Sequence, residues 1–192
     1  MASRYSICVF CGSSTGNDPL HERAAARLGR LAAGRNVHLV YGGGKVGLMG
    51  IVADAALEAG GTVTGVIPRH LRRAEVAHEG LTELITVETM HERKHRMFGL
   101  ADAFVVLPGG IGTFDETIEI ISWRLLNLHD KAILLVDLGG YWEPFTELFE
   151  HAIAKGFARP ETRRLFTRVA DVEEVFARIE AAPKGEAHPE RL

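Results

Sequence analysis

Short apolar runs alternate with amphipathic stretches along almost the whole chain. Ser6–Cys11, Val37–Tyr41, Thr62–Ile67, Leu84–Val87, Ala103–Leu107, Ala132–Val136 and Arg168–Val169 are too short for helices and read as strands, the longer ones buried on both faces. Between them, helical periodicity predicts helices over 21–34, 90–101, 113–126 and 144–155. Two more open in the glycine-rich turn after Tyr41, running to about Ala59, and after a capping Asp171, running to about Ala182. Pro68–Gly80 has no period; it carries Arg69, Arg72 and Arg73 beside Glu75 and Glu79 and reads as an irregular surface segment. Strands that alternate with helices imply right-handed βαβ units. The expected fold is therefore α/β, a three-layer, Rossmann-like, doubly wound parallel sheet forming a single domain over residues 1–182. Pro183 to Leu192 is polar and reads as a disordered tail.

The central strand ends at Pro108, and Gly109, Gly110 and Gly112 follow before a helical pattern opens. Thr113 is a good N-cap residue, which would place Asp115 and Glu116 in the first helical turn. A strand, a glycine turn and a helix start bring free N–H groups and a positive dipole end to the carboxyl edge of a sheet, where anions and phosphate above all bind. A plain tight turn would need glycine only for its dihedrals. Three glycines beside a Thr and two carboxylates favour the anion site. The dinucleotide fingerprint G-x-G-x-x-G is missing after the first strand, where Gly12 is followed by serines, so an NAD enzyme is not expected.

Two helices place charge where apolar residues belong. At 100° per residue, Met90, Met97 and Ala101 fall within about 40° of one another, with Lys94 inside that sector and Arg93 beside it. Cations bordering a buried stripe either snorkel to solvent or meet an anion. The helix from Thr113 carries one stripe of Phe114, Ile118, Ile121 and Leu125, expected against the sheet, and a second of Glu116, Ile120 and Trp123. A helix with two apolar faces has two partners; the second is either a covering loop or another subunit. A homodimer with the site near its interface is the expectation.

The 192 residues suffice for one sizeable core, and 46% hydrophobic content with a net charge of -3 marks an ordinary globular protein. Neither a nucleic-acid footprint nor a membrane-spanning run is present, and a cytoplasmic location is the default. Cys8 and Cys11 have C-x-x-C spacing, but on one strand positions three apart point to opposite faces, so they read as buried structural thiols and no metal site is expected.

Pro108-Gly109-Gly110-Ile111-Gly112-Thr113-Phe114-Asp115-Glu116 matches a PGGxGTxxE motif. With Cys11-Gly12-Ser13-Ser14, Tyr41-Gly42-Gly43-Gly44, Gly47-Leu48-Met49-Gly50 and Met90-His91-Glu92-Arg93-Lys94, the chain closely resembles the LOG family, cytokinin riboside 5′-monophosphate phosphoribohydrolases often mislabelled lysine decarboxylases. The resemblance implies a Rossmann-like homodimer without redox cofactor or metal. Its expected reaction is hydrolysis of the N-glycosidic bond of AMP-type nucleoside 5′-monophosphates, N6-substituted or plain, to free base and ribose 5-phosphate. It further implies Arg93 and Glu116 as the catalytic pair, and Gly109, Gly110, Gly112 and Thr113 around the phosphate. Lys94, Asp115, Glu75, Gly43 and Ser13 complete the implied substrate-binding set. Asp115 stands where many members have Glu, and Ile111 replaces a frequent Tyr, a change expected to alter the pocket. A non-catalytic carrier of a nucleotide or phosphorylated cofactor is the alternative, since related α/β proteins bind phosphorylated pterin-type cofactors. A decarboxylase would need a Schiff-base lysine. Only Lys45 and Lys94 lie near the glycine turns, and neither sits in a recognisable cofactor motif.

Overall fold

A computed structural model of the protein describes residues 5–72 and 77–182. Within them the chain forms β1 (Ser6–Phe10), α1 (Pro19–Gly34), β2 (His38–Tyr41), α2 (Gly47–Glu58), β3 (Val63–Pro68), β4 (Glu83–Val87), α3 (Met90–Leu100), β5 (Ala103–Val106), α4 (Ile111–Leu125), β6 (Ala132–Val136), α5 (Glu143–Ala154), β7 (Thr167–Val169) and α6 (Glu173–Ala181). All seven strands are parallel, in the order β4-β3-β2-β1-β5-β6-β7. The chain winds outward from β1 through β4, then returns to β5 on β1's other side. The crevice between β1 and β5 is thus the point where the winding reverses, the place where open α/β sheets bind ligands.

Strand alternation divides the core. Ile7, Val9 and Cys11 join one cluster, with side chains of α1, α2 and α6; Cys8 and Phe10 join the other, with side chains of α3, α4 and the segment from Trp142. The two cysteines therefore face opposite layers, as their spacing predicts, and both are free and buried. Burial and the nearby Glu116 carboxylate push both thiols above their ordinary range, so neither serves as a thiolate. The N-cap of α6 falls on Val172, one residue later than expected, although the Asp171 carboxylate accepts the Glu174 N–H at 3.0 Å.

The structure corrects the reading of α4 on two counts. The helix starts at Ile111 with Gly110 as its N-cap, so Thr113 caps nothing; its side chain is buried under the turn. Asp115 and Glu116 accordingly lie beyond the first turn, which holds no acidic residue. The inward face is Thr113, Glu116, Thr117, Ile120 and Ile121, whereas Ile118 and Leu125 are exposed. Of the stripe expected against the sheet, Ile121 and Phe114 do pack on the core while Ile118 and Leu125 do not, and the Glu116–Ile120–Trp123 stripe turns inward as well because Glu116 finds a buried cation.

At the opposite end of these helices, two polar side chains from the connection into β6 are buried. The Lys131 ammonium donates to the Phe98 carbonyl at 2.8 Å and lies 4.0 Å from the Phe98 ring centre. The His129 Nε2 lies 2.9 Å from the Ile120 carbonyl, which requires it to donate, and the ring is edge-on to Phe98 and Phe104. Burial pushes the imidazole down to about 4. Because His129 takes up its proton more readily in the unfolded chain, stability is complete above the ordinary histidine value near 6.5 and drains as pH falls toward 4. Urea denaturation should show roughly 3 kcal/mol lost over that interval through this residue, and His129→Gln should flatten that part of the profile. An unchanged profile in the variant would contradict the assignment.

Candidate functional site

Three βα turns meet at the carboxyl edge. The Gly12 N–H after β1 donates to the Pro108 carbonyl after β5 at 3.0 Å, and the Met49 N–H in α2 donates to the Gly12 carbonyl at 3.3 Å. Gly109 is required by this contact: a Cβ there would lie 2.1 Å from Thr113 Oγ1 and 2.8 Å from the Gly12 nitrogen. The β5 turn thus closes onto the β1 turn, and the first N–H groups of α4, which have no partner within the helix, open beside them.

Beneath these turns lies a buried ion pair. Arg93 is 6% exposed and Glu116 8%, and the Arg93 Nη1 sits 3.3 Å from the Glu116 Oε1. The rest of the guanidinium is spent on main chain, Nε donating to the Val66 carbonyl at 3.1 Å and Nη2 to the Gly42 carbonyl at 3.3 Å. α3 supplies the cation from one side, α4 the carboxylate from another, and the ends of β2 and β3 hold the fork. Gly42 is glycine because Arg93 occupies its side-chain space: a Cβ there would lie 2.0 Å from Nη2. The arrangement leaves a buried carboxylate with its countercharge supplied from α3.

The other expected site residues fall in different places. Lys94 bridges α3 to α4, 3.2 Å from Asp115 Oδ2 and 3.0 Å from Glu119 Oε1. Burial weakens its charged form, but hydrogen bonds to Glu119 and Asp115 outweigh that and raise its proton affinity. Gly43 is buried, its carbonyl accepting the His78 N–H at 3.0 Å. Ser13 is exposed, with its main chain packed on Gly47. Gly110 and Gly112 are exposed, and Ile111 is 81% exposed. Glu75 lies outside the described residues. Among the described residues, no group of three or more His, Cys, Asp or Glu is placed to hold a metal ion, and no helix is long and apolar enough to cross a membrane.

Tyr141 was not foreseen. Gly139 and Gly140, with φ of 62° and 79°, swing the chain after β6 back toward the β5 turn, where the Tyr141 hydroxyl donates to the Gly109 carbonyl. A glycine pair directly after a buried strand, followed by two aromatics, was the available signal.

A Rossmann-like sheet whose switch point gathers glycine turns, an open helix start and a buried guanidinium–carboxylate pair defines a doubly wound α/β protein with its candidate site at the carboxyl edge. The chain belongs to the family described as possible lysine decarboxylase, whose model matches residues 49–179. It is 45% identical over 175 residues to a cytokinin riboside 5′-monophosphate phosphoribohydrolase of Rhodococcoides fascians, covering 91% of this chain and 88% of that one. It is 42% identical over 175 residues to a phosphoribohydrolase of the same name from Arabidopsis thaliana, covering 91% and 77%. Among solved structures, the molybdenum cofactor binding protein of Rippkaea orientalis superposes with a TM-score of 0.72 at 19% identity, over 94% of this chain and 98% of that one. The Moco carrier protein of Chlamydomonas reinhardtii gives 0.68 at 22% identity, over 92% and 95%. At such identities these two share the fold.

Replacing Gly42 by Ala should force the guanidinium aside and destabilise the protein by roughly 1–3 kcal/mol. Truncating Arg93 in the same background should cost less than the sum of the single changes, because the clash is then gone. Urea denaturation of the four proteins measures both effects, and strict additivity would refute the steric account of Gly42.

Proposed function

We propose that the protein is a nucleoside 5′-monophosphate phosphoribohydrolase, which cleaves the N-glycosidic bond of AMP or N6-substituted AMP to release free base and ribose 5-phosphate. The observation that carries this reading is the buried Arg93–Glu116 pair beneath the β5 turn. The names of the phosphoribohydrolases that align over most of the chain support it. As the bond from C1′ to the base breaks, its electron pair leaves with the base and positive charge grows on the ribosyl ring. A fixed carboxylate stabilises that charge. Glu116 takes this role, and Arg93 orients it and balances its charge before substrate arrives. Water then adds at C1′ to give ribose 5-phosphate, and the departing base takes up a proton.

The N–H groups around Gly109, Gly110, Gly112 and Thr113 hold the 5′-phosphate, which accounts for a preference for the nucleotide over the riboside. Lys94 and Asp115, already paired to each other, shape the α3–α4 wall of the site. A carrier of a phosphorylated cofactor could use the same cradle, but it has no use for a carboxylate sunk below it. The decarboxylase description finds little support in the lysines. Lys45 is exposed, Lys94 is held by two carboxylates, and Lys131 donates to the Phe98 carbonyl in the core. A cytoplasmic location belongs to this reading, supported by two free cysteines and an ordinary charge balance.

Base release from AMP, isopentenyl-AMP, GMP and CMP, followed by chromatography, tests the activity directly; adenine-type nucleotides should be cleaved and their ribosides hardly at all. Glu116→Gln should lower kcat by roughly 10²–10³-fold while KM moves little. A variant as fast as the wild type would remove Glu116 from the chemistry.

The homodimer also belongs to this proposal, with its interface relocated. The Glu116–Ile120–Trp123 stripe is turned toward the protein's own core. Ile118, Leu125 and Leu126 of α4 and its end, with Leu148 of α5 and the 91% exposed Phe157, leave an apolar surface uncovered. A second copy pairing there buries it. Light scattering should report a two-chain mass for the wild type and a one-chain mass for the double variant Leu125→Glu, Phe157→Glu. A wild-type monomer at high concentration would refute the pairing.

A further inference from the structure

The carbonyls of the β5 turn from Pro108 to Gly110 are all committed within the protein. Pro108 O accepts from the Gly12 N–H at 3.0 Å, and Gly110 O accepts from the Phe114 N–H at 3.0 Å as α4 begins. Between them, Gly109 O accepts from the Tyr141 hydroxyl. The first two anchors are main chain and independent of side-chain identity. The third is a single phenol, presented from the next βα connection along the edge.

That phenol is held with care. The Trp142 N–H donates to Asp137 Oδ1 at 2.7 Å, fixing the turn that carries Tyr141. The Tyr141 ring stands edge-on to Trp142 at 5.1 Å and to His21 of α1 at 5.9 Å. Trp142 is itself fully buried and edge-on to Phe114 of α4 at 5.7 Å. The hydroxyl is therefore positioned by both the β1 and β6 connections, which flank the β5 turn.

In a trans peptide the carbonyl and the following N–H point in opposite directions across one rigid plane. Pinning Gly109 O toward Tyr141 turns the Gly110 N–H away from it. A Cβ on Gly110 or Gly112 would meet nothing within 4 Å, so the space beside this turn and the first N–H groups of α4 is open to a ligand. We infer that Tyr141 is a positioning residue of the phosphate site: by holding the Gly109 carbonyl it aims the Gly110 N–H at the 5′-phosphate of the substrate. The inference rests on the phosphoribohydrolase reading for the identity of that phosphate. Tyr141 touches no reacting atom, and its contribution is to binding, ahead of the chemical step.

The test is calorimetric titration of ribose 5-phosphate, and separately of inorganic phosphate, into the wild type and Tyr141→Phe. Removing one hydroxyl should weaken both by about three- to tenfold, the value of a single hydrogen bond, and should raise KM for the nucleotide by a similar factor with kcat within about twofold. A residue that merely packs would lower stability or kcat and leave phosphate affinity alone. Equal affinities in the two proteins would overturn the inference. Independently of any variant, titrating phosphate into ¹⁵N-labelled wild type should shift the Gly110 amide resonance, and an unmoved Gly110 would overturn it as well. If phosphate binding depends on Tyr141 yet no nucleotide releases base, the inference stands and the proposed reaction falls. A wild type that binds neither ligand overturns both.

Discussion

The molecule is arranged around a guanidinium and a carboxylate that meet away from water. Burying either alone would be costly, and a buried pair breaks even only when its remaining hydrogen-bonding positions are filled. Arg93 meets that condition: Glu116 takes one arm, and the carbonyls of Val66 and Gly42 take others. Those carbonyls belong to β3 and to the turn after β2, so two strands, two helices and a turn must be in register before the pair can form. A replacement of both partners by apolar groups of similar volume could be tolerated by the fold. That two charges stand at this depth supports the role proposed for the pair.

Much of the architecture was legible because periodicity reports which surface a residue buries. The short runs around Val105 and Leu134 carry no polar alternation, and only strands covered on both faces read that way. The opposed orientation of Cys8 and Cys11 followed from a two-residue repeat alone. Arg93 betrayed itself as a cation beside the apolar sector of α3, and it is indeed buried. The resemblance to a known motif then joined it to Glu116, which periodicity could not have done, since their meeting depends on how α3 and α4 cross.

What was misread has a common cause. Periodicity assumes that the more hydrophobic stripe faces inward, and α4 breaks that rule. It turns Glu116 and Thr117 to the sheet and leaves Ile118 and Leu125 outside. An inward carboxylate is affordable only with Arg93 beneath it, a fact of tertiary structure. Thr113 looked like a cap because Ser and Thr so often are. In a turn where Gly109 must clear a neighbouring side chain, the same residue is better used packed against that glycine, and Gly110 begins the helix without a side-chain cap. The glycine pair before Tyr141 marked a turn but not its destination, since the partner of Tyr141 lies 32 positions earlier in the chain.

The glycines of the edge divide by what fills the space beside them. Gly42 is bare because a guanidinium needs that space, and Gly109 because a threonine hydroxyl does. Both serve packing, and neither has room for a ligand against its Cα. Gly110 and Gly112 differ, for an added Cβ would meet nothing. Glycine at these two positions is not demanded by the protein's own atoms, nor does either residue have the positive φ that would call for it. A side chain there would project into the space above the first turn of α4, where the helix leaves N–H groups unpaired. In the proposed reading, the absence of side chains keeps that approach clear for a phosphate and its ribose. The edge therefore combines two packing requirements, one in each turn, with open space at Gly110 and Gly112, and in the proposed reading it is that open space that admits the substrate.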